Sequence, residues 1–290
     1  MSPKKEFNLS FEFFPPKTPE GMKNLEKTVL QLSKAQPHFF SMTFGAGGST
    51  REGTFDAVKK IQHLNIPVAP HIAAIGLTRD EIISIVKTYQ AQGIKRIVAL
   101  RGDLPSGMGQ SGELRYANEL VSLIREVTHN TFHIEVAAYP ETHPQALNAL
   151  EDIMYLKKKM HAGANSAITQ YFFNADSYFY FVDACNKHGI SIPIVPGIMP
   201  ITHFSKLVRF SDMCGADIPR WLRKRLEAYG DDQKSIQQFG LEVVYKLCDT
   251  LVQHGAPGLH FYTLNHSEPS LSLIHSLGLN TAFAIGTHVL

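Results

Sequence analysis

Cysteine is scarce in this chain: Cys185, Cys214 and Cys248 are the only three in 290 residues. An odd number, widely spaced, excludes a CxxC redox or metal pair and a disulfide framework, so a reducing cytoplasm is the expected setting. Long apolar runs are missing too. Nothing approaches the roughly 20 consecutive apolar residues of a membrane span. The N-terminal MSPKKEFNLSFE has lysines but neither the apolar core nor the cleavage site of a signal peptide. Charge of one sign is not in excess either, since 28 Lys and Arg oppose 26 Asp and Glu for a formal net charge of +2. With so small a surplus, and basic residues scattered rather than striped, nucleic acid is not expected as a partner. The fourteen histidines include no HExxH pair, and no metal site is expected. Linkers and low-complexity tracts are also lacking, so residues 1–290 are expected to form one domain.

What the chain does have is alternation. Strand-like segments are expected at 7–14, 38–44, 67–74, 96–102, 133–139, 166–173, 191–198 and 259–264, with amphipathic helices between them. Helix-start signals support the pattern: Thr18-Pro19-Glu20, the capping-box spacing of Thr78 to Glu81, Asn174, and Ser267-Glu-Pro269. Residues 202–254 leave room for more than one helix. Eight strands each followed by helix, in this length, predict a (β/α)₈ TIM barrel, with a doubly wound open sheet as the competitor.

A barrel places its chemistry at the C-terminal ends of the strands, and the unusual polar residues map there. Glu12 ends an aromatic run, Phe7-Asn-Leu-Ser-Phe-Glu-Phe-Phe-Pro-Pro16. Period 2 separates Phe7, Leu9, Phe11 and Phe13 from Asn8, Ser10 and Glu12. A carboxyl on such a strand is either paired with a structural Arg or Lys or kept protonated as a general acid. Arg101 and Asp103 follow strand 4, where they pair with each other or hold a phosphate and a heterocycle edge. The Gly45-Ala-Gly-Gly-Ser-Thr-Arg51 loop suits a phosphate but matches neither nucleotide fingerprint. Lys157 to Lys159, late in a helix expected to begin near Pro144, form a solvated face or reach a pyrophosphate. Gln170 shares a face with Ser166 and Ile168, so its amide meets neighbours or reads a pterin-like edge.

Eight segments in order, SFEFFPPK, SMTFGAGGSTR, PHIAAIG, VALRGDLP, VAAYPETHP, AGANSAITQYFF, PGIMPI and HFYTLN, give the chain its resemblance to the bacterial methylenetetrahydrofolate reductases. That resemblance implies an FAD enzyme in which NADH or NADPH and the folate substrate take turns at one flavin face. It implies Glu12 as general acid, with a raised pKa, and Asp103 between flavin and pterin. Implied FAD contacts are Thr43, His71, Arg101, Gly102, Asp103, Tyr116, Ala117, Tyr139, Ala146, Asp152, Tyr155, Lys158 and Lys159. Implied substrate contacts are Gln170, Lys206, Phe210 and His266. Three of these depart from the usual bacterial pattern: Lys206 stands for Gln, Tyr155 for Asn and His266 for Arg. A homo-oligomer is implied, and the regulatory region of the eukaryotic enzymes is not expected. Two rival classes share the barrel: another flavin enzyme such as a proline dehydrogenase, and a pterin-binding methyltransferase or folate-binding module without flavin.

Overall fold

The computed structural model describes residues 7–44, 51–102 and 112–279. Its strands are β1 (Asn8–Phe13), β2 (Phe39–Met42), β3 (Val68–Ala73), β4 (Arg96–Leu100), β5 (His133–Ala138), β6 (Ser166–Thr169), β7 (Ile194–Val195), β8 (Gly197–Ile198) and β9 (Gly258–Tyr262). Between and after them run α1 (Pro19–Leu32), α2 (Arg51–His63), α3 (Arg79–Ala91), α4 (Ala117–Thr128), α5 (Ala149–His161) and α6 (Ala175–Lys187). These are followed by α7 (Phe204–Cys214), α8 (Arg220–Ala228), α9 (Gln233–Gln253) and α10 (Ser270–Ser276). Every strand pairing is parallel, and β1 lies between β2 and β9, so first and last strands meet.

β7 and β8 are the two halves of one barrel stave. β7 pairs with β6 and β8 with β9, and the chain changes partners at Pro196. Proline has no N–H to give a ladder, but its carbonyl accepts from His260 N–H at 3.0 Å. Gly197 makes the crossing possible. A Cβ there would lie 2.1 Å from the Thr169 carbonyl and 2.7 Å from the Tyr262 ring. In its absence Gly197 N–H donates to Thr169 Oγ1 at 2.9 Å, and Tyr262 OH donates to Thr169 O at 2.7 Å. These bonds close the barrel where its ladder is thinnest.

Alternation divides each strand between two cores. Phe11 and Phe13 pack outward with Phe40 against the helices, while Phe39, Ala69, Val98 and Ile168 fill the barrel interior. Below that layer, at the N-terminal ends of the strands, buried Glu135 pairs with Arg96, accepts from Ser166 and lies 3.3 Å from His133 Nε2. The Arg96 guanidinium also covers the Phe39 ring at 4.6 Å. Helix starts follow the sequence signals. Thr18 accepts from Gly21 N–H, Thr78 and Glu81 form a capping box, and Asn174 accepts from Asp176 N–H. Such caps are each worth about 1 kcal/mol. α5 begins at Ala149 under an Asn148 cap, not near Pro144, because residues up to there form turns. Three helices fill 202–254, and among the described residues none is long and apolar enough to cross a membrane.

Candidate active site

Glu12, the last β1 residue paired to β9, projects inward at the barrel mouth with its side chain one-fifth exposed. Its Oε2 lies 3.4 Å from His71 Nε2 on β3 and 3.5 Å from His260 Nε2 on β9. His260 is fully buried, and its Nδ1 is held 2.8 Å from Ser10 Oγ, two residues before Glu12 on the same face. The partners of the carboxyl are therefore imidazoles, not the Arg or Lys that the sequence left open.

Burial raises the Glu12 pKa, but the charge of a protonated His71 and hydrogen bonds from His260 and Ser41 outweigh it and hold the carboxyl below its ordinary value. This corrects the expectation of a raised pKa. Burial drives His71 itself down to about 4, against the pull of Glu12. At neutral pH His71 is thus uncharged, and the largest influence lowering Glu12 is withdrawn. Burial is then opposed chiefly by the hydrogen bonds. Across the mouth, Tyr262 is pushed well above the usual phenol value by burial and by the Glu12 charge.

The other expected site residues lie around this centre or along its rim. Thr43 follows β2, and Arg101 and Gly102 follow β4; Asp103 lies outside the described residues. Gly102 (φ 90°) packs so close to Ile75 that a Cβ would meet its Cγ2 at 2.4 Å. Tyr139 follows β5 with its ring edge-on to His143 at 4.5 Å, and Ala146 N–H donates to the His143 carbonyl in the turn beyond. Gln170 follows β6, its Oε1 accepting from Tyr171 N–H. Tyr116 precedes Ala117 at the start of α4 and stacks on Tyr155 of α5 at 5.3 Å, and Lys158 Nζ lies 4.7 Å over the Tyr155 ring. Asp152 accepts from His143 N–H, and burial raises its pKa. Lys159 is turned inward: its ammonium donates to the Ala137 carbonyl at 2.5 Å, and burial lowers its pKa to about 8. Lys206 and Phe210 lie on α7 and His266 beyond β9. The positive charges of Lys206 and His266 both reach His203, which burial and those charges push down.

Polar atoms at the neighbouring strand ends lack hydrogen-bond partners although buried, among them Thr43 Oγ1 and His71 Nε2. Unsatisfied groups at adjacent strand ends mark a place for a polar ligand. The carbonyls and ring nitrogens of a flavin would satisfy them, so the residues present fit that group. Among the described residues no cluster of three or more His, Cys, Asp or Glu could hold a metal. His129 and His133 stand four apart, but the first caps α4 and the second opens β5.

Residues 1–278 match the family described as methylenetetrahydrofolate reductase. The chain belongs to that family. It is 41% identical to the 5,10-methylenetetrahydrofolate reductase of Escherichia coli (strain K12) over 275 residues, which are 94% of this chain and 92% of that protein. It is 35% identical to methylenetetrahydrofolate reductase (NADH) 1 of Arabidopsis thaliana, over 93% of this chain and 48% of the plant protein. A solved structure of an uncharacterized Clostridium thermocellum protein that binds two copies of 5-methyl-5,6,7,8-tetrahydrofolic acid shares the fold. Its TM-score is 0.68 at 17% identity, over 96% of each chain. Within this reductase-family barrel, His260 and Ser10 are the site residues that sequence reasoning missed. A lone histidine in an apolar strand reads as core, and only the side-by-side pairing of β1 and β9 brings it to Glu12.

Proposed function

We propose that the chain is an FAD-dependent reductase converting 5,10-methylenetetrahydrofolate to 5-methyltetrahydrofolate, with NADH or NADPH as electron donor. The observation that carries this is the Glu12 carboxyl between His71 and His260 at the barrel mouth, in a chain that matches the family over residues 1–278. Thr43 and His71 would hold the flavin ring, Asp103 would bind the pterin edge against it, and the ends of β4 and β5 with α5, including Lys158 and Lys159, would hold the rest of FAD. When bound, FAD supplies a hydride carrier that serves nucleotide and folate in turn.

Glu12 delivers a proton to N10 of the folate as the five-membered ring opens, leaving a carbon at N5 ready to accept hydride. Burial favours the neutral carboxyl but is outweighed in the structure by the imidazoles and Ser41, so the donor role requires a bound ligand to deepen that burial. His260, held by Ser10, stabilises the carboxylate left afterwards and fixes its direction. Gln170 and Phe210 orient the pterin. Lys206, close enough to His203 for its charge to act there, offers positive charge to the substrate's glutamyl carboxylate and compensates for His266 in the place of the family's arginine. The whole chain acts as one catalytic domain, and copies of it associate as a cytoplasmic homo-oligomer.

Rapid mixing of the flavin-loaded protein tests the assignment. In Glu12→Gln, NADH still reduces the flavin at close to the parental rate, whereas reoxidation by methylenetetrahydrofolate slows at least about a hundredfold, the scale of a lost general acid. Survival of both half-reactions removes Glu12 from the chemistry. A protein that takes up no flavin removes the reductase itself.

A further inference from the structure

The β1–β9 ladder stops where Glu12 faces Tyr262. β9 then turns away through two consecutive left-handed residues, Leu264 (φ 51°) and Asn265 (φ 63°). Asparagine tolerates that region; leucine does not, and holds it only where its surroundings over-determine it. The turn brings the Asn265 amide against the end of β1. Its Oδ1 accepts from Phe14 N–H at 3.0 Å and its Nδ2 donates to the Phe14 carbonyl at 2.9 Å. The amide pairs with Phe14 as a neighbouring strand's backbone would, adding a rung beyond the end of the ladder.

Thr263 forms the rung below. Its N–H and its Oγ1 both donate to the Glu12 carbonyl, at 3.3 and 2.6 Å, and the same Oγ1 accepts from Asn265 N–H at 3.1 Å. From α1, Thr28 Oγ1 donates to the Asn265 carbonyl at 3.3 Å. The backbone carrying Glu12 is thereby gripped at residues 12 and 14. Its carboxyl has imidazole neighbours at 3.4 and 3.5 Å, where a displacement of under about 1 Å decides whether a proton can pass.

We propose that Asn265, with Thr263, is a positioning residue for the Glu12 carboxyl. Its side-chain amide replaces a missing stretch of strand and keeps the carboxyl between His71 and His260. This rests on the proton-donor role assigned to Glu12 above.

The test measures the two half-reactions of the flavin-loaded protein separately: reduction by NADH and reoxidation by methylenetetrahydrofolate. Asn265→Gly leaves the left-handed backbone accessible and deletes only the amide. Reduction by NADH should stay within about twofold of the parent. Reoxidation by the folate should slow about tenfold or more, with its pH profile displaced because the carboxyl has left its place between the imidazoles. Asn65→Gly, at another left-handed asparagine (φ 57°) before β3 at the far end of the barrel, should match the parent in both. Thr263→Val removes the hydroxyl rung and should give the same selective defect, so the test stands even if Asn265→Gly does not fold. Unchanged rates and pH profile, or an equal loss in both half-reactions, overturns the positioning role. Glu12→Gln, run alongside, separates the two claims. If it reoxidises with folate at the parental rate, the proton-donor role fails; if it alone is impaired, only the role of Asn265 fails.

Discussion

Arg125 shows how one side chain can secure the end of the barrel opposite the site. From α4 its guanidinium donates to the carbonyls of Gly163, His129 and Phe132 and to Asn165 Oδ1, joining the turns that precede β5 and β6. In Arg125→Ala these acceptors lose a charged donor, at about 1–3 kcal/mol for each left buried. We expect a total loss of about 3 kcal/mol, read from urea denaturation, with no change in how Glu12 behaves in the half-reactions. Site residues differ in how far they could be read from sequence. Glu12 announced itself, because a carboxyl among phenylalanines on a strand must have a partner. The identity of that partner was hidden, since His71 and His260 lie on other strands. For the same reason the Glu12 pKa could not be foreseen. Its direction depends on His71 and His260, and His71 is itself shifted by burial.

The first six staves were legible because each is a run of four to six largely buried, apolar-rich residues separated from the next by a helix. The seventh was legible as one strand over 191–198, but its division into β7 and β8 was not. Its two-residue halves, split at Pro196, carry no period, and the change of partner from β6 to β9 is a property of the closed sheet. Gly197 is the weak point of that arrangement. In Gly197→Ala the new methyl would collide with the Thr169 carbonyl and with Tyr262. Backbone cannot yield as a flexible side chain can, so the cost should reach about 3 kcal/mol or more. The stave should part from β6 and release Tyr262. Circular dichroism melts should show the lost stability, and a Gly197→Ala protein as stable as the parent would mean that the crossing is not held as tightly as these contacts require.

For the molecule as a whole, acid is the expected vulnerability. Folded His71 titrates at about 4, against 6.5 for an ordinary histidine, because burial disfavours its charge. Between those values the unfolded chain binds a proton that the folded one refuses, so stability is lost as pH falls from about 6.5 to about 4. By pH 5 this one group should remove about 2 kcal/mol. The Glu135 carboxyl is raised by burial but lowered further by His133, Arg96 and Ser166. Its contribution is present above the ordinary carboxylate pKa and lost as pH falls through its lower folded value. Glu141 and Asp152, raised by burial, act in the opposite sense. Urea titrations at pH 7 and pH 5 should show the decline, and His71→Gln should flatten it; an equal decline in that variant would assign the loss to other groups. The pairing of β1 with β9 also has a consequence in time. Glu12 emerges from the ribosome 248 positions ahead of His260, and the barrel seam cannot shut until the last strand arrives. A half-made or clipped chain can contain Glu12 and His71 but not His260. If Glu12 is the proton donor proposed above, proton delivery waits until synthesis has passed β9, and turnover would report that β1 and β9 have met.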